Sequence, residues 1–87
     1  MNQSVLFPDR QHWDEKRQVV SFPVQASGLL IECFVSKGYL ETSVGDELLQ
    51  ERQIMLAFEN LRFDLEELVE QLLEEEAFNE EGHLVIG

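Results

Sequence analysis

Gln18-Val19-Val20-Ser21-Phe22-Pro23-Val24-Gln25-Ala26-Ser27-Gly28-Leu29-Leu30-Ile31-Glu32-Cys33-Phe34-Val35-Ser36 reads as two strands joined by a tight loop. Branched and aromatic residues fill both halves, and Ala26-Ser27-Gly28 supplies a hairpin connection in which glycine takes positive φ. Along the second strand Leu29, Ile31, Cys33 and Val35 point one way, and Leu30, Glu32, Phe34 and Ser36 the other. The first set predicts the core face. The second keeps Leu30 and Phe34 around one glutamate, so the far face is only half polar. Another segment must cover it, or it packs against a second molecule. Pro23 has no N–H for a ladder, which predicts an edge position or a bulge.

Working outward, Ser4-Val5-Leu6-Phe7 is a short β-like run stopped by Pro8-Asp9, and Asp14-Glu15-Lys16-Arg17 predicts a turn. Downstream, Ser36 is placed to cap a short helix over Lys37 to Val44, which Gly45 ends. Asp46 then reads as the cap of a much longer helix. Ile54, Phe58, Leu61, Leu65, Leu68 and Leu72 recur at alternating spacings of four and three, widened by Met55, Val69 and Leu73. About thirty helical residues would span ~45 Å, against ~30 Å for a compact domain of this size. The helix therefore breaks near Asn60, or its end projects to meet another chain. Leu49, Leu56 and Phe63 form a second apolar line at sevenfold spacing, which predicts burial on a second side. Glu76 falls onto the apolar stripe and predicts fraying there. His83-Leu84-Val85-Ile86 returns to the sheet as an edge strand.

The expected fold is α+β and forms a single domain over residues 1–87. A small antiparallel sheet of three to four strands packs against a long, kinked C-terminal helix. One short helix precedes that helix, and an edge strand closes the chain.

Charge is concentrated in the C-terminal half. Residues 46–87 hold thirteen Asp or Glu against two Arg, while residues 1–45 hold five against four. The halves carry −11 and −1 of the net −12. Such a surface repels nucleic acid and anionic membrane and attracts basic partners. At 87 residues the chain is near the small end of what folds alone, which makes a partner subunit of stabilising value. Cys33 is the one cysteine, so no disulfide forms within the chain, in keeping with a reducing compartment. Met1-Asn2-Gln3-Ser4 has no basic and apolar signal pattern, and the longest apolar run is Ile54 to Phe58, so a cytoplasmic, soluble protein is expected.

Glu66, Glu70 and Glu74 succeed one another at i, i+4, with Asp64, Glu67 and Glu75 beside them. Like charges at that spacing cost a few tenths of a kcal/mol per pair. Glu74-Glu75-Glu76 also sits where the helix dipole prefers cations. This run is either a solvated face or a docking face for a basic protein, mimicry of nucleic-acid phosphates being a narrower form of the latter. Arg62 stands at i, i+4 from Glu66 and i, i−3 from Glu59, which predicts two helix ion pairs. Glu80, Glu81, His83 and His12 do not make a zinc set, and no EF-hand loop is present. Cys33 as a nucleophile would need a lowered pKa and a base such as His12 or His83; its inward strand position predicts burial instead. No Walker A, G-x-G-x-x-G or G-x-S-x-G pattern occurs, and the basic residues are scattered.

Phe7-Pro8-Asp9, Trp13-Asp14, Val20-Ser21-Phe22, Gly28, Ile31-Glu32-Cys33 and Phe58-Glu59-Asn60-Leu61-Arg62 together resemble the family catalogued as domain of unknown function 1488, short bacterial proteins. The resemblance runs over nearly the whole chain. It implies an α+β fold with an antiparallel sheet and a long C-terminal helical region, and it carries over no activity or site residue. The chain departs from that pattern at Lys37-Gly38-Tyr39-Leu40, which predicts a shortened helix there.

The expected function is a small acidic interaction or regulatory module without catalytic activity, cofactor or metal. Its candidate contacts are Glu66, Glu67, Glu70 and Glu74 on the helix and Leu30 and Phe34 on the sheet. The expected partner is a protein, basic in character, or a second copy of the chain, with no direct nucleic-acid or membrane contact. The alternatives are an acidic nucleic-acid mimic that occupies a basic protein and an enzyme using Cys33.

Overall fold

The hairpin forms as its sequence requires. In the computed structural model, which describes residues 5–87, β3 (Val19–Ala26) and β4 (Leu29–Ser36) pair antiparallel from Val19↔Ser36 to Ala26↔Leu29. Ser27 and Gly28 both take positive φ, 53° and 80°, the geometry that turns a hairpin in two residues. The two short strands β1 (Val5–Leu6) and β2 (His12–Asp14) share the other flank of β3. Ser4, read as part of the first strand, lies outside the described residues. Pro23 is therefore in an interior strand and not at an edge. It is tolerated because β1 stops at the level of Gln25 and β2 begins at Ser21, so no partner on that flank asks Pro23 for an N–H.

The turn before β3 is fixed by Asp14, whose Oδ1 accepts from the backbone N–H groups of Lys16 and Arg17, each at 3.1 Å. After β4, helix α1 spans Lys37–Val44 at full length, so Gly38 does not shorten it. Ser36 Oγ accepts from Tyr39 N at 3.0 Å, and Gly45 ends the helix at φ 75°. Asp46 does not begin the next helix. Helix α2 (Glu51–Asn60) starts five residues later, where Gln50 and Gln53 cap each other. Gln53 Oε1 accepts from Leu49 N and Gln50 N at 2.9 and 3.0 Å, the amide counterpart of a capping box.

The long apolar stripe is divided at Leu61, with α3 over Arg62–Glu74. Helix α3 stops in a Schellman arrangement: Ala77 N bonds Leu72 O at 3.0 Å and Glu76 N bonds Leu73 O at 3.1 Å. The left-handed position falls on Glu76, at φ 54°, where glycine would be unstrained. The chain then returns as β5 (Leu84–Ile86), at the sheet edge as expected but parallel to β4. The sheet is thus mixed and five-stranded, ordered β1-β3-β4-β5 with β2 also on β3. The three helices between β4 and β5 supply the crossover that a parallel pairing requires.

All three helices lie on one face. Val20, Phe22 and Val24 of β3, Cys33 and Val35 of β4, and Leu84 and Ile86 of β5 pack against Leu40, Ile54, Phe58, Leu65 and Val69. Phe22 and Phe58 meet at 5.1 Å between ring centroids with planes tilted by 59°, an aromatic pair that ties sheet to helix. Leu49, Leu56 and Phe63 do not form a second buried line. They are 73%, 57% and 81% exposed, because only one layer of sheet is available to cover the helices.

Candidate functional site

Helix α3 presents two sides of different chemistry. On the inner side Arg62 is 16% exposed, with Nε on Glu66 Oε2 at 3.0 Å. Its Nη1 donates to Gln11 Oε1 at 2.8 Å and Nη2 donates to the carbonyl of Pro8 at 3.2 Å. Asp9 lies 3.7 Å from Nη1, and the guanidinium stands 5.7 Å from the centre of the Phe58 ring. Gln11 in turn donates to Glu59 Oε2 at 2.6 Å. The expected Arg62–Glu59 ion pair is absent among the described residues, since Glu59 is taken by Gln11 and Arg62 reaches back to residues 8–11. Arg62 therefore fastens the segment between β1 and β2 onto the α2–α3 joint. Glu66 is committed to that node and is not free to dock a partner.

On the outer side Asp64, Glu67, Glu70 and Glu74 are exposed and take part in no ion pair among the described residues. Going back along the same outward stripe, Phe63, Asn60 and Leu56 follow at helical spacing. Leu56 and Asn60 open onto a groove between α1 and α2 of roughly 300 Å³. Val44, Leu48, Leu56 and Ala57 give it apolar walls, and Asp46 and Glu47 add carboxylates. Sequence reasoning found the carboxylates but missed the groove. The signal for it is the line Leu49, Leu56, Phe63, whose spacing predicts burial and which the fold leaves exposed.

The sheet residues occupy a separate region. Leu30 is 59% exposed, and no helix covers it. Phe34 is half-buried, with His83 edge-on at 5.2 Å and the Arg17 guanidinium 5.4 Å from its ring centre. The structure does not bring the acidic and sheet candidates together: Leu30 and Phe34 lie on the face of the sheet opposite the helices.

Cys33 is fully buried in the core, and burial, aided by the charge of Glu32, pushes its thiol up to about 12. Among the described residues its one hydrogen-bond partner is the carbonyl of Ile31, at 3.9 Å. A thiolate nucleophile needs the opposite environment, so the enzyme reading through Cys33 has no support in this geometry. His12 faces Ser21 Oγ at 3.1 Å on the far side of the sheet, and His83 meets Phe34 edge-on; neither serves Cys33 as a base. Among the described residues no three His, Cys, Asp or Glu converge as a metal site, and no helix is long and apolar enough to cross a membrane.

A two-layer α+β domain with three helices on one face of a five-stranded mixed sheet is the class these features define. The chain belongs to the family described as Protein of unknown function (DUF1488), whose model matches residues 5–86. It is 36% identical over 83 residues to the uncharacterized protein YrdB of Escherichia coli K12, covering 94% of each chain. The Shigella flexneri protein of the same description is 35% identical over the same span, again covering 94% of each chain. A crystal structure of a DUF1488 protein of unknown function from Shewanella loihica PV-4 superposes with a TM-score of 0.93 at 35% identity, covering 99% of this chain and 94% of that one. Two segments that carry the family resemblance, Phe7-Pro8-Asp9 and Phe58 to Arg62, meet at the Arg62 node.

Proposed function

We propose that this protein is a non-catalytic binding module that takes a basic protein segment along the outward stripe of α2 and α3. The segment's apolar anchor would seat in the α1–α2 groove, and its cations would lie along Asp64, Glu67, Glu70 and Glu74. The observation that carries this reading is the exposed Leu56 and Phe63 set among carboxylates that have no cationic partner among the described residues. A purely solubilising face has no use for Phe63, which is 81% exposed. Glu70 and Glu74 repel each other at i, i+4, and Glu74 meets the negative end of the helix dipole. A bound cationic chain would relieve both penalties. Groove-plus-charge recognition of an amphipathic segment is a familiar binding mode.

Affinity capture from E. coli lysate tests the reading, using the wild-type chain beside Glu67/Glu70/Glu74→Gln and Phe63→Ser. The expected result is a basic partner retained by the wild type, weakened by raised salt and lost by both variants. A partner that both variants retain equally would refute it.

A further inference from the structure

We infer that the open face of the sheet is the contact between two copies of this chain, independent of the acidic groove. Register assigns that face. Leu6, Gln25 and Leu30 form one row across β1, β3 and β4. His12, Ser21, Phe34 and Val85 form another across β2, β3, β4 and β5. Leu6, Leu30 and Val85 are among the exposed large apolar residues of the chain, whereas every buried helix residue belongs to the core on the opposite side. One sheet face thus lies against helices; on the other, Leu6, Leu30 and Val85 are exposed around the buried Ser21 and Pro23, and no helix or strand among the described residues lies over them.

Charge selects the occupant. The charged side chains that register and contacts place on or beside this face are Asp14, Glu32, the Arg17 that lies over Phe34 and is 3.9 Å from Asp14, and Glu81, 4.0 Å from the His83 that meets Phe34. Both signs are present and the face is far less acidic than the outward side of α3, so a basic partner is drawn to the helices first. A second copy gains twice. Stacked sheet to sheet, two molecules keep their acidic helices on the outer sides, separated by both sheets, where repulsion is weakest. Glu32 and Phe34 are two residues apart on one strand, ~7 Å. A twofold axis between them brings Arg17 of each copy to Glu32 of the other, the self-complementary pairing that isologous contacts require.

Size sets the strength. Two strands of eight residues flanked by β1, β2 and β5, of two, three and three residues, cover roughly 380 Å² on each copy at ~3.3 by ~4.8 Å per residue. The two faces together remove roughly 760 Å², the scale of a weak, transient contact, which places the dimer in the upper micromolar to millimolar range. The packing is that of aligned sheets in a sandwich.

Sedimentation of the full chain from micromolar to millimolar concentration tests this, beside Leu30→Lys, Leu6→Lys and Phe63→Ser, each checked for a native circular dichroism spectrum. All three positions are exposed, so the fold survives the changes. The wild type is expected to form a concentration-dependent dimer. Leu30→Lys and Leu6→Lys should each raise its dissociation constant about tenfold or more, as an interfacial charge costing ~1.4 kcal/mol would, and Phe63→Ser should leave it unchanged. A monomer at every concentration, a dimer indifferent to Leu30→Lys, or one dispersed by Phe63→Ser would each overturn the inference.

Discussion

Glu66 and Glu67 are chain neighbours of the same type on the same helix, and they do different work. Glu66 closes a network with Arg62, which also holds Gln11 and the Pro8 carbonyl. Glu67 is exposed and has no ion-pair partner among the described residues. One step of about 100° around α3 separates a carboxylate that holds the fold from one left over for something else. The difference teaches that an acidic run is not one feature: its inner edge belongs to the architecture and its outer edge to the surface chemistry.

The strongest test of the inner region uses pH. The Cys33 thiol titrates near 9 in an unfolded chain and about 12 when folded. Above pH 9 the unfolded chain releases a proton that the folded chain retains, so stability is full below pH 9 and falls toward pH 12. The expected loss is about 1 kcal/mol per pH unit. Urea denaturation from pH 8 to 11 measures it, and Cys33→Ala should flatten the decline. Next in size is Arg62→Met, which strands Glu66, Gln11 and the Pro8 carbonyl. It should cost about 2 to 3 kcal/mol in the same assay; a loss below ~0.5 kcal/mol would reduce the node to an ordinary surface ion pair.

A third test addresses the comparison itself. Glu66→Gln should lower stability by about 1 kcal/mol, and Glu67→Gln should change it by less than ~0.5 kcal/mol or raise it slightly. Equal effects would erase the distinction between the two edges. Smaller again, Glu76→Gly should stabilise by up to about 1 kcal/mol, since glycine takes the left-handed cap without a Cβ penalty. Its thermal midpoint against the wild type gives the answer.

Local chemistry was legible in the sequence. The Ser36 and Gly45 caps, the Ser27-Gly28 turn and the stop at Glu76 follow from signals within a few residues, whereas the division at Leu61 has no local signal and is reached only from the length of the stripe against the size of the domain, which leaves a projecting helix open as well. What escaped depended on distance along the chain. Arg62 bonds partners more than fifty residues away, and no periodicity encodes that. The parallel pairing of β5 follows from where three helices deliver the chain, which the apolar Leu84-Val85-Ile86 run does not state. Gln50 and Gln53 outcompeted Asp46 as a cap because their reciprocal bonds are satisfied within one turn. Leu49, Leu56 and Phe63 are exposed where their spacing predicts burial, because heptad spacing reports a shared side, not whether anything lies against it. The acidic candidates Glu67, Glu70 and Glu74 were visible as a pattern, whereas the groove beside them needed the packing of α1 on α2.

The most direct test of the outward stripe as a binding site is an amide chemical-shift titration of the labelled protein with a short amphipathic Lys/Leu peptide, at low and moderate salt. The account predicts shifts at Asp46, Leu56, Phe63, Glu67 and Glu70 that persist at moderate salt and vanish in Leu56→Ser. Shifts centred on Leu30 and Phe34, or diffuse shifts that salt abolishes entirely, would contradict it.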